Sequence, residues 1–169
     1  MVFGFVGLFI MGFSYRALPH FMKTTLWKPK LALSTLLIMI FGILLQAYAH
    51  VIAPRQPYLL LGISAGIIQI IAVVIFALVI ARTMQSATTR GSSAGLSIAA
   101  LGWFLIAAIL NPVIFWLFES PSTQEEFLFN VSSFNIPYRD IQTLGIAVMM
   151  ILGVSLHILP HAYGFREPT

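Results

Sequence analysis

Five runs of almost uninterrupted apolar residues, joined by short segments that hold nearly all of the charge, limit what this chain can fold into more than any other feature. A hydrocarbon core of about 30 Å asks for roughly 20 apolar residues at about 1.5 Å of helical rise each. The runs Val2–Leu18, Leu31–Ala49, Tyr58–Ala81, Leu96–Phe118 and Ile141–Leu159 approach or meet that length. The expected fold is all-α: a single polytopic transmembrane domain over residues 1–169, with about five membrane-spanning helices.

Composition closes the soluble alternative. Of 169 residues, 59% are hydrophobic and 8% charged, against roughly 25% charged in an ordinary soluble domain. Nine Lys and Arg and five Asp and Glu cannot cover the exterior of a water-soluble protein of this size. The formal charge of +4 does not point to nucleic acid, because the basic residues are scattered between apolar runs and form no stripe. The absence of cysteine excludes disulfides, thiolate-bound zinc, iron–sulfur ligation and a cysteine nucleophile.

Punctuation between the runs fits this reading. Pro29 and Pro57 stand at or just before helix starts, where a missing N–H is harmless, and Pro19 and Pro160 fall where helices are expected to end. The first run lacks a basic leader and a clean cleavage site, so it reads as a helix that stays. Arg16, Lys23, Lys28 and Lys30 surround the first connection and Arg82 and Arg90 the third, while the second and fourth carry only Arg55 and Arg139. The positive-inside rule then puts the first and third connections in the cytoplasm, the N-terminus outside and the C-terminus inside. Trp27 and Tyr163 fall on the inner side, and Tyr48, Tyr58, Trp116 and Tyr138 on the outer. In the long fourth connection, Ser122-Thr123-Gln124-Glu125-Glu126 carries overlapping capping-box patterns, which predict a short interfacial helix over 122–130.

The chain also resembles itself. Gly4, Gly12, Ser14, Leu18, Pro19 and His20 recur as Gly145, Gly153, Ser155, Leu159, Pro160 and His161, each at an offset of 141 residues. Three helices lie between the two copies, so one repeat is four helices, and its first helix returns with the same orientation. The fifth helix opens a second repeat. A first span that starts at Met1 with no hydrophilic lead reads as the remainder of a longer helix, so a fragment, or a bundle completed by another subunit, is expected.

At these residues the sequence resembles a known family. Gly4-Phe5-Val6-Gly7, Gly12-Phe13-Ser14-Tyr15-Arg16-Ala17-Leu18-Pro19-His20, Arg139-Asp140-Ile141-Gln142-Thr143-Leu144-Gly145 and Leu159-Pro160-His161-Ala162-Tyr163-Gly164-Phe165-Arg166 look like the NnrS family. They look more distantly like subunit I of heme–copper oxidases and nitric oxide reductases. The likeness covers the first and last helices, and the middle three only by hydropathy. It implies a multi-pass protein of the bacterial inner membrane, linked to heme, copper or nitric oxide metabolism. The chain departs from the oxidase pattern in having only four histidines, so a binuclear centre does not map onto it.

Those histidines are the candidate cofactor ligands. His157 and His161 are spaced i, i+4, which on an unbroken helix suits one metal ion, although Pro160 intervenes and is expected to fray the last turn. His20 is the repeat equivalent of His161, and the pair could hold a heme between facing helices at the inner surface. His50 ends the second helix on the outer side and would serve a separate site. Gln46, Gln69, Asn111 and Gln142 are uncharged polar residues within or at the ends of spans, and each needs a partner in the bundle because lipid offers none. Gly62 and Gly66 form a small-x-x-x-small pair that permits close helix approach.

No Asp, Glu, Lys or Arg lies near the centre of a span, and no phosphate-binding loop or catalytic triad stands out, so independent catalysis is not expected. The leading expectation is a heme-associated NnrS-like or oxidase-like protein, or a subunit of that descent in a respiratory assembly with other membrane subunits. Two alternatives stand beside it: a non-catalytic anchor that scaffolds partner chains, and a small-solute channel or carrier module lined by Gln69 and Asn111.

Overall fold

The computed structural model describes residues 2–21, 24–52, 57–86 and 93–163; within them, the side chains of residues 2, 3, 5, 21, 93, 94, 97, 154 and 157–162 lie outside the description. The described residues are helical apart from short connections. The helices are α1 (Val2–Phe21), α2 (Pro29–Ile52), α3 (Tyr58–Gln85), α4 (Ser93–Glu119), α5 (Gln124–Asp140) and α6 (Met149–Tyr163), with a π-helical segment, Ile141–Val148, joining α5 to α6. Among the described residues, Pro29–Ile52, Tyr58–Gln85 and Ile98–Glu119 are long and apolar enough to cross a membrane.

Contacts fix the relative direction of every helix. Gly4 lies against Ile43, and Gly7 against Met39, so α1 and α2 run antiparallel. Gly42 packs on Gln69, while the Trp27 N–H just ahead of α2 bonds Thr83 Oγ1 near the end of α3 at 3.1 Å. Gly62 meets Phe115, Gly66 meets Pro112 and Phe76 meets Phe104, which sets α3 antiparallel to α4. Asn130 Nδ2 donates to the Leu117 carbonyl at 2.9 Å and Gly145 packs on Trp103, so the last long helix returns along α4. Hence α1, α3 and the α5–α6 rod share one direction.

The core forms where α1, α3 and α4 meet. Phe76 and Phe104 are fully enclosed and stand edge to face with ring centroids 5.9 Å apart, and Tyr15 closes on Phe76 at 5.2 Å in the same manner. Edge-to-face pairs place a positive ring edge on a negative face, which adds about 1 kcal/mol to burial alone. Met11, Met39, Val73 and Ile80 fill the space around them. Close approach of α3 and α4 depends on glycine: a methyl on Gly66 would sit 2.7 Å from Pro112 Cβ, and one on Gly62 would fall inside the Phe115 ring.

Two expectations about helix ends change. Pro19 does not end α1, which continues to Phe21 and is closed by the Thr24 N–H bonding back to the Pro19 carbonyl at 3.0 Å. Pro160 does not fray the last turn either, since α6 runs through it to Tyr163. Proline loses only one donor and forbids one conformation of its predecessor, and neither cost terminates a helix whose other turns are in place.

The fourth connection also differs. Thr123 caps α5, its hydroxyl accepting from the Glu126 N–H at 3.3 Å, while the Glu126 carboxylate accepts from the Ser122 N–H at 3.3 Å. This is the capping chemistry the sequence carries. The helix it starts does not stop near residue 130: it continues through Asp140 into the π segment and α6 as one rod. Tyr138, Gln142, Ile146 and Met150 face the bundle at intervals of four residues. On a regular α-helix each such step drifts by about 40°, roughly 120° over three steps. The wider π turns absorb that drift, which keeps all four positions toward α4.

Candidate functional site

Four of the polar residues picked out in the apolar runs come together, joined by a tyrosine. Counting about 1.5 Å per residue from the nearer helix end, Gln46 lies about 9 Å inside α2, Asn111 about 12 Å inside α4 and Gln69 about 16 Å inside α3. Gln69 Nε2 donates to Gln46 Oε1 at 2.7 Å, Asn111 Nδ2 donates to Gln69 Oε1 at 2.9 Å, and Gln46 Nε2 donates to Asn111 Oδ1 at 3.5 Å. The three amides thus close a ring. A further bond from Asn111 Nδ2 to Gln46 Oε1, at 3.0 Å, crosses it.

Tyr138 locks the rod onto this ring, its hydroxyl donating to Asn111 Oδ1 at 3.0 Å. Gln142, one turn on, hydrogen-bonds the same phenol. Each acceptor in the ring has a donor within the protein. Such a network ties α2, α3, α4 and α5 together and presents no unpaired carbonyl to a passing solute.

Glycine and proline neighbours let the ring form. Gly42, one turn before Gln46, lets the Gln69 chain pass over α2, where a Cβ would come within 2.8 Å of Gln69 Cγ. Pro112 follows Asn111 and seats on Gly66, drawing α3 and α4 close at the depth of Asn111 and Gln69.

At the end of the bundle above the ring, His50 Nδ1 lies 3.1 Å from Glu119 Oε1. The His50 ring rests on Phe115 at 5.0 Å between centroids, and the Tyr58 hydroxyl donates to the Glu119 carbonyl at 2.7 Å. His50 therefore has a carboxylate partner, and both side chains reach the surface. His20 is exposed near the opposite end, at the close of α1. The expected ligand pair, His157 and His161, is on α6, and its side chains lie outside the described residues. Among the described residues, no three of His, Asp and Glu gather in a way that could hold a metal ion.

A second feature lies between α1 and α6. An apolar groove of about 340 Å³ is walled on one side by Val6, Phe9, Ile10 and Phe13 and on the other by Ala147, Met150, Ile151 and Ser155. Val6 and Ala147, Phe9 and Met150, and Ile10 and Ile151 are each separated by the repeat offset of 141 residues. Positions 141 residues apart on two helices that run the same way thus face one another across the groove.

Sequence reasoning singled out Gln46, Gln69, Asn111 and Gln142 but missed Tyr138 and Glu119. The signal for Tyr138 was its spacing: it precedes Gln142 by one turn and so shares its face. Comparison with models of known protein families, with curated proteins and with solved structures finds no match.

Proposed function

We propose that the chain is a multi-pass module of a larger helical assembly in the bacterial inner membrane, and that it scaffolds partner subunits instead of performing chemistry alone. In this reading α1 to α4 and the α6 end of the rod give five spans, with the N-terminus outside, the C-terminus inside and a four-helix repeat that starts over at α6. The observation that carries it is the α1–α6 pair: two helices that run the same way, and whose matched residues wall one groove. Charge supports the orientation. Lys28, Lys30 and Arg82 lie at one end of the bundle, and Glu119, Glu125 and Glu126 at the other.

The chain has no cysteine, so single introduced thiols report topology cleanly. Ser122→Cys should react with an impermeant maleimide on intact spheroplasts, and Ser86→Cys only after permeabilisation. The reverse pattern, or equal labelling of both, rules the orientation out.

A second reading keeps the NnrS-like or oxidase-like resemblance and makes the module heme-associated, with copper as a further candidate. What favours it is placement: the shared direction of α1 and α6 brings His20, His157 and His161 to the same end of the bundle. A heme held there would supply electron transfer or binding of a diatomic ligand. A reduced-minus-oxidised spectrum of the purified protein tests it. A Soret band that His157→Ala removes or shifts supports the reading, and a featureless spectrum from protein isolated together with its partner subunits eliminates it. The solute-path alternative gains nothing from Gln69 and Asn111, whose carbonyls are taken up by each other and by their neighbours.

A further inference from the structure

The groove between α1 and α6 changes character along its length. Its walls are apolar from Val6 to Phe13 on one side and from Ala147 to Ile151 on the other. The Phe9 and Phe13 rings lie stacked, with centroids 6.2 Å apart and planes 13° from parallel, which gives one wall a flat aromatic surface. Among the lining side chains the one hydroxyl, Ser155, stands at the end toward the close of α1. Arg16 follows Phe9 by seven residues and Phe13 by three, so it continues the same helix face one turn beyond the groove, and it is exposed.

Depth and charge narrow what such a groove can hold. Gly7 lies against Met39, near the middle of α2, so the Val6 end of the groove is close to mid-height in the bundle. From Gly7 to Arg16 is nine residues, about 14 Å of helix, against about 15 Å for half of a hydrocarbon core. In a bilayer the groove therefore runs the depth of one leaflet, apolar toward the mid-plane, with a hydroxyl and then a guanidinium toward the headgroups. Among the described residues no carboxylate lies at the Arg16 end: Glu119, Glu125 and Glu126 are at the opposite end of the bundle, and Asp140 precedes Ala147 on the rod by seven residues. A guanidinium at that depth offers a fork of donors that matches phosphate oxygens.

We propose that this groove is a binding site for one anionic phospholipid: an acyl chain lies between α1 and α6, its ester group beside Ser155 and its phosphate on Arg16. The order of chemistry along the groove is the order along the lipid, apolar chain, ester, anion. A zwitterionic lipid fills the same groove but sets its own cationic headgroup beside Arg16, so the site selects for net negative charge. The proposal rests on the membrane reading of the chain and goes beyond it by naming a ligand, its class and the residues that hold each part of it.

The test reconstitutes the full-length chain in phosphatidylcholine vesicles that carry a trace of photoreactive lipid, either phosphatidylglycerol or phosphatidylcholine, each with a diazirine in the lower half of one acyl chain. Insertion at each residue is read by mass spectrometry. The reference is exposed Ile98 of α4, which has no basic residue among the seven before it. One arginine beside an anionic headgroup favours it about fivefold, so phosphatidylglycerol should insert at Phe9 and Ile151 about fivefold more than phosphatidylcholine, while Ile98 takes up both alike. Arg16→Gln should abolish the preference and Arg16→Lys should retain it; Ala147→Phe should fill the groove and lower insertion of both lipids at Phe9. Equal insertion of the two lipids at Phe9 and Ile151 overturns the proposal, as does a preference that survives Arg16→Gln or one that excess inorganic phosphate erases, which would make Arg16 a plain anion site. If neither probe labels Ile98, the membrane reading itself fails.

Discussion

Replacing Asn111 with leucine keeps the side chain close to its original size and removes both polar atoms from the centre of the amide ring. Asn111 makes three bonds of 3.0 Å or less: donated to Gln46 and to Gln69, and accepted from Tyr138. The bond from Gln46 at 3.5 Å is too long to count for much. In helical membrane proteins such bonds average about 0.6 kcal/mol and reach about 1.7, so three contribute about 2 kcal/mol. Gln69 still bonds Gln46 through its Nε2, and Tyr138 still has Gln142, which leaves Gln69 Oε1 as the atom stripped of its partner. One orphaned buried acceptor costs about 1–3 kcal/mol.

Asn111→Leu should therefore lose about 3 kcal/mol, roughly a hundredfold in the folded-to-unfolded ratio. Titration with sodium dodecyl sulfate in mixed micelles, followed by the fluorescence of Trp103 and Trp116 on the same helix, measures it. The cost has two parts that can be separated. Changing Gln46, Gln69 and Asn111 together to leucine removes the orphan as well as the bonds, and should be less destabilising than Asn111→Leu alone. A cycle of Asn111→Leu with Tyr138→Phe should give a coupling of about 0.6–1.7 kcal/mol. If Asn111→Leu unfolds within about 0.5 kcal/mol of the parent, or if the cycle is additive, the ring is not what joins these helices.

Three further outcomes are expected from the same assay. Gly66→Ala drives a methyl into the Pro112 ring and backbone and should cost about 1–3 kcal/mol, whereas Gly102→Ala meets nothing and should be neutral or stabilising by up to about 1 kcal/mol through helix propensity. His50→Phe removes a partly exposed contact between an imidazole and a carboxylate, so a loss above about 1 kcal/mol would contradict the surface character of that contact.

Much of the architecture was legible because lipid-crossing helices need length and apolarity, which a linear sequence displays directly. Pro29 and Pro57 marked helix starts, Thr123 and Glu126 carried their cap, and Gly62 and Gly66 announced the contact that Phe115 and Pro112 make. The requirement that Gln46, Gln69, Asn111 and Gln142 find partners was legible too. Which partners they find was not, because that depends on the rotation of each helix about its axis, and helices apolar on all sides carry little sign of which face turns inward. Pro19 and Pro160 misled for a related reason: proline marks a weak point, and packing decides whether the helix ends there. Glu119 was hidden by its place at a helix terminus, where a carboxylate ordinarily meets only water.

The π segment offers a sharper test of the rod, because its geometry makes an unusual deletion tolerable. Between Tyr138 and Met150 there are twelve residue steps, which on a regular α-helix at about 100° each would leave the two side chains some 120° apart. Removing exposed Leu144 leaves eleven steps, which return within about 20° of a whole number of turns. The intermediate positions follow, since Gln142 and Ile146 then fall within about 40° of the same line. The shortened rod can become wholly α-helical with Tyr138, Gln142, Ile146 and Met150 still directed at α4, and its cost should stay near 1–2 kcal/mol, a typical value for a single change. Deleting Ile109, equally exposed but in the regular part of α4, has no such slack. It rotates Asn111, Ile114 and Phe115 by about 100° away from their partners and should abolish the cooperative transition. Equal damage from the two deletions would mean that Ile141–Val148 holds no stored turn, and that the four-residue spacing of its inward face has some other origin.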